Sequence, residues 1–287
     1  MAQPSPQDLP PARTVISPPK GWLRLELSEL WRYRDLIRLF VRRDFVSLYK
    51  QTVLGPLWFV LQPLISSLVF TVVFGKIARI PTEGAPPMLF YMGGLVIWSY
   101  FNATVQGIAN TFRTNQNIFG KVYFPRLVVP VAAVVNNLIM SSIQFATFLA
   151  FLGFYALRGA KVAPNLHLLL VPLLVLMAAA LALGVGLMVA ALTTRYRDLM
   201  FLLGFGMQLW MYATPIVYPL SSVPESWRWL SLLNPMTAVV SAFRHAFLGG
   251  PGVAPWALVQ SGLITALLLL TGLALFGRQE KTFMDTI

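Results

Sequence analysis

Six long apolar stretches punctuate the chain, at residues 55–74, 88–109, 127–157, 168–193, 199–217 and 255–276. Each is close to or above the roughly 20 residues that cross a bilayer as a helix, so the pattern predicts six membrane spans. The third is long enough to tilt or to extend beyond the lipid. None of the six contains Asp, Glu, Lys, Arg or His.

Upstream, residues 26–50 change to a helical period. Leu30, Tyr33, Ile37, Phe40, Val41 and Leu48 share one arc, and Arg32, Arg43 and Lys50 lie opposite. This predicts an amphipathic helix over 26–53 in the cytoplasmic membrane interface, with a soluble helix packed on another domain as the alternative. Asp44 falls on the apolar arc, which predicts an imperfection or bend there.

The connection at 218–254 is long yet largely apolar. Pro224 suits the first position of a helix over 225–233, Asn234 suits an N-cap followed by Pro235, and Gly249 and Gly250 suit a stop. Each piece is too short to span, so a re-entrant external helix pair is expected. Residues 1–25 are polar and proline-rich, without the apolar core of a cleavable signal. They are expected to form a disordered cytoplasmic tail, with a second short tail at 278–287. The fold class expected is an all-α membrane protein, its six-helix domain covering 54–277.

Orientation follows from Lys and Arg. Sixteen lie before the first span, in the connections after the second and fourth (113–126 and 194–198), and in the C-terminal tail; six lie on the other side. Both termini are therefore expected in the cytoplasm. Composition agrees with a membrane setting, since 57% of the residues are hydrophobic and 11% charged. Soluble domains carry ~25% charged residues. The net charge of +12 sits at span ends, where it suits anionic headgroups rather than nucleic acid. The chain has no cysteine, and its two histidines, His167 and His245, are far apart in sequence, so no metal site is expected.

Intramembrane ionisable groups mark self-powered transporters, and their absence here argues against that class. Neutral polar residues do recur at helical spacing: Gln62 and Ser66, then Asn102, Gln106 and Asn110, then Asn137, Ser141 and Gln144. They suit either hydrogen bonds between helices or a wet path for an uncharged, hydroxyl-rich substrate. Aromatic residues near span ends, among them Trp98, Tyr100, Tyr212, Trp227 and Trp229, suit interface belts, and a minority could stack on sugar rings. Gly184, Gly186, Gly204 and Gly206 suit close helix approach. No phosphate loop, nucleophile elbow or paired-carboxylate site is present, so the chain is expected not to be an enzyme.

Four segments carry a family resemblance. They are Arg42-Arg43-Asp44-Phe45 with Tyr49-Lys50-Gln51-Thr52-Val53-Leu54-Gly55-Pro56-Leu57-Trp58; Asn117-Ile118-Phe119-Gly120-Lys121-Val122-Tyr123-Phe124-Pro125-Arg126; Arg195-Tyr196-Arg197-Asp198-Leu199; and Asn234-Pro235-Met236-Thr237. In this order, on six spans, the chain resembles the permease subunits of bacterial polysaccharide-exporting ABC transporters.

The resemblance implies a homodimer in the inner membrane enclosing a channel, with two copies of a separate ATPase holding ATP and Mg. The cargo implied is an undecaprenyl-linked glycan such as an O-antigen. Asn117, Ile118, Phe119, Lys121, Tyr123, Phe124 and Arg126 would form the coupling element. Arg38, Arg42, Arg43 and Lys50 would meet the lipid pyrophosphate or anionic lipid generally. Gln62, Trp98, Tyr100, Asn102, Gln106, Asn137, Tyr212, Trp227 and Trp229 are the candidates for a glycan path. The alternatives are export of teichoic acid, capsule or a hydrophobic small molecule, and a membrane glycosyltransferase. The scarcity of external carboxylates, essentially Glu83 and Glu225, argues against the last.

Overall fold

The computed structural model describes residues 27–50, 55, 57–119, 124–193, 196 and 198–283. Most of these are helical, and no strand occurs among them. In chain order they form α1 (Leu27–Arg32), α2 (Arg34–Lys50), α3 (Leu57–Phe70), α4 (Pro87–Ala109), two single turns α5 (Thr111–Thr114) and α6 (Gln116–Phe119), α7 (Val128–Leu157), α8 (Val171–Thr193), α9 (Leu199–Ala213), α10 (Glu225–Leu233), α11 (Pro235–Leu248) and α12 (Pro255–Phe283). Five helical stretches are long and apolar enough to cross a membrane: Leu57–Ile77, Pro87–Ala109, Val128–Leu157, Leu166–Thr193 and Pro255–Gln279.

The fifth expected span is shorter than its apolar stretch. α9 has 15 residues, which at roughly 1.5 Å each reach about 22 Å, less than the ~30 Å hydrocarbon core. Pro215 is the cause. The residue before a proline is held out of the helical region, and Thr214 is extended at φ −91° and ψ 138°.

The N-terminal helix also departs from expectation. Its interruption lies at Tyr33, between α1 and α2, and not at Asp44. Asp44 is half-buried and paired to Arg43 at 2.8 Å. The apolar arc faces protein: Phe40 is buried, and Leu30, Tyr33, Ile37 and Val41 pack around it against α7 and the connection that precedes it. At the other terminus α12 runs on to Phe283, through most of the expected tail.

α4 is the centre of the bundle. Leu89 through Trp98 are all buried, with α3, α7, α8 and α11 packed around the helix. α8 crosses α12 closely at Gly184, where an added Cβ would lie 2.7 Å from the Leu269 backbone. At Gly186 a Cβ would lie 2.7 Å from Ile108 Cβ. Those two glycines serve the close approach expected of them. Gly204 and Gly206 do not, since a Cβ at either meets nothing within 4 Å.

The two ends of the bundle differ. At one, Phe40, Phe112, Phe119, Phe124 and Phe276 gather α2, the turns after α4, the start of α7 and the end of α12 into one cluster. At the other, the α3–α4 and α7–α8 connections meet α11. There the Asn165 amide donates to the His245 carbonyl at 2.8 Å, and Glu83 lies against Gly250.

Candidate translocation surface and its two ends

α4 leaves one strip uncovered. Ser99, Asn102, Ala103, Gln106, Gly107 and Asn110 are half-buried or exposed, at helical spacing, on a helix otherwise buried. Each is polar or small. A strip facing lipid tails needs apolar side chains, because polar groups there lack partners. The side chains bond within their own helix: Gln106 Nε2 donates to Asn102 Oδ1 at 3.0 Å, and Asn110 Nδ2 to the Gln106 carbonyl at 3.0 Å. Asn137 on α7 lies beside the strip, its amide 3.4 Å from where a Gly107 Cβ would be, and donates to the Ala133 carbonyl at 2.9 Å. Among the described residues, none of Gln62, Ser66, Asn102, Gln106, Asn110 or Asn137 hydrogen-bonds to another helix. Within one chain they are not interhelical glue.

The aromatic candidates divide. Trp98 and Tyr100 are buried inside the bundle and offer no surface, because α4 turns those positions toward its neighbours. Tyr212 is exposed on α9, and Trp227 and Trp229 are each 61% exposed on α10. Gln62 is exposed on α3.

The coupling candidates also divide. Lys121 and Tyr123, and the Asn117 side chain, lie outside the described residues. Phe119, Phe124 and Arg126 are buried, so they shape the connection from inside rather than present a free face. The Phe119 ring lies 5.9 Å from Phe112 and 5.6 Å from Phe124, with the Arg126 guanidinium 5.7 Å above it. Ile118 is half-buried, and Arg113 and Thr114 are exposed.

Of the expected phosphate-contacting cations, Arg38 pairs with Asp35 at 3.1 Å on the surface. Arg43 is held by Asp44, by the Phe40 ring at 4.7 Å and by Asn115 Oδ1 at 3.4 Å. It thereby ties α2 to the turns after α4. Arg42 is exposed. The Lys50 side chain lies outside the described residues.

The connection after α9 follows its sequence closely. α10 and α11 form where expected, with Pro224 as N-cap of α10 rather than its first helical residue. Asn234 caps α11 by accepting from Met236 N at 3.0 Å. The same side chain accepts from Trp210 Nε1 and donates to Thr214 Oγ1, both at 2.9 Å, so one residue joins α9 to α11. Gly249, at φ 76°, ends α11. α11 is anchored further where Ser261 Oγ on α12 donates to the Pro235 carbonyl at 2.6 Å.

Two features of this end escape sequence reasoning. The His167 and His245 rings lie 4.7 Å apart, close in space though remote in the chain. Arg244 is 6% exposed and stacks on Phe90 at 4.0 Å. Burial pulls its guanidinium down to about 10, opposed by Glu83 and Tyr91, so it stays cationic at neutral pH. Its signal was a single cation inside the apolar run VVSAFRHAFL.

Comparison with known proteins agrees with this architecture. Residues 35–248 match the family model described as ABC-2 type transporter. The chain is 30% identical over 268 residues to the O-antigen export system permease protein RfbA of Myxococcus xanthus, covering 91% of this chain and 98% of that one. It is 27% identical to a protein of the same name from Klebsiella pneumoniae, over 88% of this chain and 95% of that one. It is 22% identical to the polysialic acid transport protein KpsM of Escherichia coli, over 81% and 89%.

Proposed function

The chain belongs to the ABC-2 type transporter family as a multi-pass membrane permease, and from that premise we propose that it is the channel subunit of an ATP-driven exporter of a lipid-linked polysaccharide across the inner membrane. The observation that carries this reading is the polar strip on α4. The most enclosed helix of the bundle keeps an uncovered hydrophilic face whose groups bond only among themselves. Two copies placed strip to strip would give a wet path lined by amides, suited to sugar hydroxyls and without charges to trap them.

The relatives favour a glycan as cargo, two named for O-antigen export and one for polysialic acid transport. Energy would come from a separate ATPase, since this chain has no phosphate loop. The ATPase would dock at the end holding α2 and the turns after α4, which the Lys and Arg bias assigns to the cytoplasm. Phe119, Phe124 and Arg126 would act as the internal frame of that docking surface. α2 would lie where membrane meets water, with its apolar arc on the bundle and Arg42 free to meet lipid phosphate.

α9 would supply a sixth crossing beside the five helices long enough to span. Ala190 on α8 sits in the aromatic cluster at the α2 end, while Thr214, just past α9, bonds Asn234 at the start of α11. α9 joins the two and would complete the crossing by thinning the bilayer or through its flanking turns. α10 and α11 would be the external re-entrant pair.

The chain's lack of cysteine makes a direct test simple. Single cysteines placed at Asn102 and Gln106, in membranes containing the complete transporter, should react with a water-soluble maleimide. Leu263→Cys, at an exposed apolar position of α12, should not. Silence at both strip positions would overturn the wet path.

A further inference from the structure

The cavity opposite the α2 end lies among the α3–α4 connection, α10, α11 and the start of α12, and has a volume of about 320 Å³. Its polar wall carries two cations, Arg228 and Arg244, with Ser241 and His245 beside them. Arg244 Nη1 and Arg228 Nε are both buried without a hydrogen-bond partner. A buried donor with no acceptor is destabilising, and an arginine fork is shaped to meet the oxygens of phosphate. The Phe90 ring stacks on the Arg244 guanidinium at 4.0 Å. The one carboxylate among the lining residues, Glu83, lies near enough to favour the charged form of Arg244, and its Oε1 accepts from Ser221 Oγ at 2.5 Å. It forms no ion pair with either arginine among the described residues.

Most of the remaining wall is apolar, with Thr82 and Ser221 as polar exceptions. Leu248, Val253 and the exposed Trp256 line it, and Trp227 and Trp229 are exposed on the neighbouring α10. Exposed tryptophans of this kind sit at headgroup level in a bilayer. The volume is at the low end of the roughly 300–1,000 Å³ of ligand pockets, which suits a headgroup rather than a whole lipid. We infer that this cavity binds the phosphate-bearing headgroup of a membrane lipid, with the lipid tail leaving past Trp256. The carrier lipid of the exported glycan and an ordinary phospholipid both supply that chemistry. Only the placement on the external face rests on the exporter reading; the binding site itself does not.

The test uses the full-length chain in a phosphate-free nonionic detergent, followed by tryptophan fluorescence. Titrants are geranyl phosphate, glycerol phosphate, inorganic phosphate and glucuronate. Saturable binding of the phosphates is expected, weakened about 10–100-fold in Arg244→Met, as for loss of charge-assisted bonds. Geranyl phosphate tighter than glycerol phosphate identifies an isoprenoid carrier; the reverse identifies phospholipid. Arg228→Met, at a less buried position, gives a second readout should Arg244→Met fail to fold, with weakening again expected. Undiminished binding in the folded variants, no saturable phosphate response, or a response to glucuronate alone would overturn the inference. Because no transport is measured, such a failure leaves the exporter reading standing.

Discussion

Replacing Phe119 separates two roles for the connection after α4. If the residue frames that connection from within, Phe119→Ala opens a void between Phe112, Phe124 and the Arg126 guanidinium. The ring is 8% exposed, and truncating a buried phenylalanine costs about 3–5 kcal/mol. For a protein of this size that corresponds to a melting temperature lower by about 10 °C. Phe119→Leu keeps most of the volume and should cost roughly 1.5 kcal/mol or less. The assay is thermal unfolding of the purified chain, alongside recovery of a co-purifying ATPase. The account expects Ala to lose both stability and partner, and Leu to keep both. A Phe119→Ala chain that melts like wild type yet loses the partner would refute the framing role, because the ring would then be touching the ATPase itself.

Three further substitutions probe the fold and the path. Gly184→Ala should destabilise the chain by about 1–3 kcal/mol, since its Cβ lands 2.7 Å from the Leu269 backbone, whereas Gly204→Ala should leave melting unchanged. Asn234→Ala removes the α11 cap and strands Trp210 Nε1, so a loss of about 2–4 kcal/mol is expected in the same melting assay. Asn102→Leu with Gln106→Leu should insert and melt normally but reduce export of surface glycan. Unchanged export in that double variant would move the path away from α4.

The sequence made the bundle legible wherever local chemistry decides the structure. Apolar length located the five helices long enough to cross a membrane, and Asn234-Pro235 with Gly249 bounded α11 because caps and stops depend on adjacent residues. Pro215 was equally local, yet the hydropathy of 199–217 ran past it and overstated α9. Tertiary packing hid the rest. Gly184 and Gly204 look alike in sequence, and only the approach of α12 separates them. Trp98 and Tyr100 resembled belt residues but are buried. Arg244 was counted as an external loop charge, although α11 carries it into a cavity; His167 and His245 meet only because Asn165 ties their segments together.

The central claim is that this permease moves a lipid-linked glycan outward. Its most direct measurement is the distribution of that glycan in cells lacking this chain. The account predicts loss of surface polysaccharide, with lipid-linked glycan accumulating on the cytoplasmic leaflet and both restored by the wild-type chain. Normal surface polysaccharide in the deletion strain would contradict it.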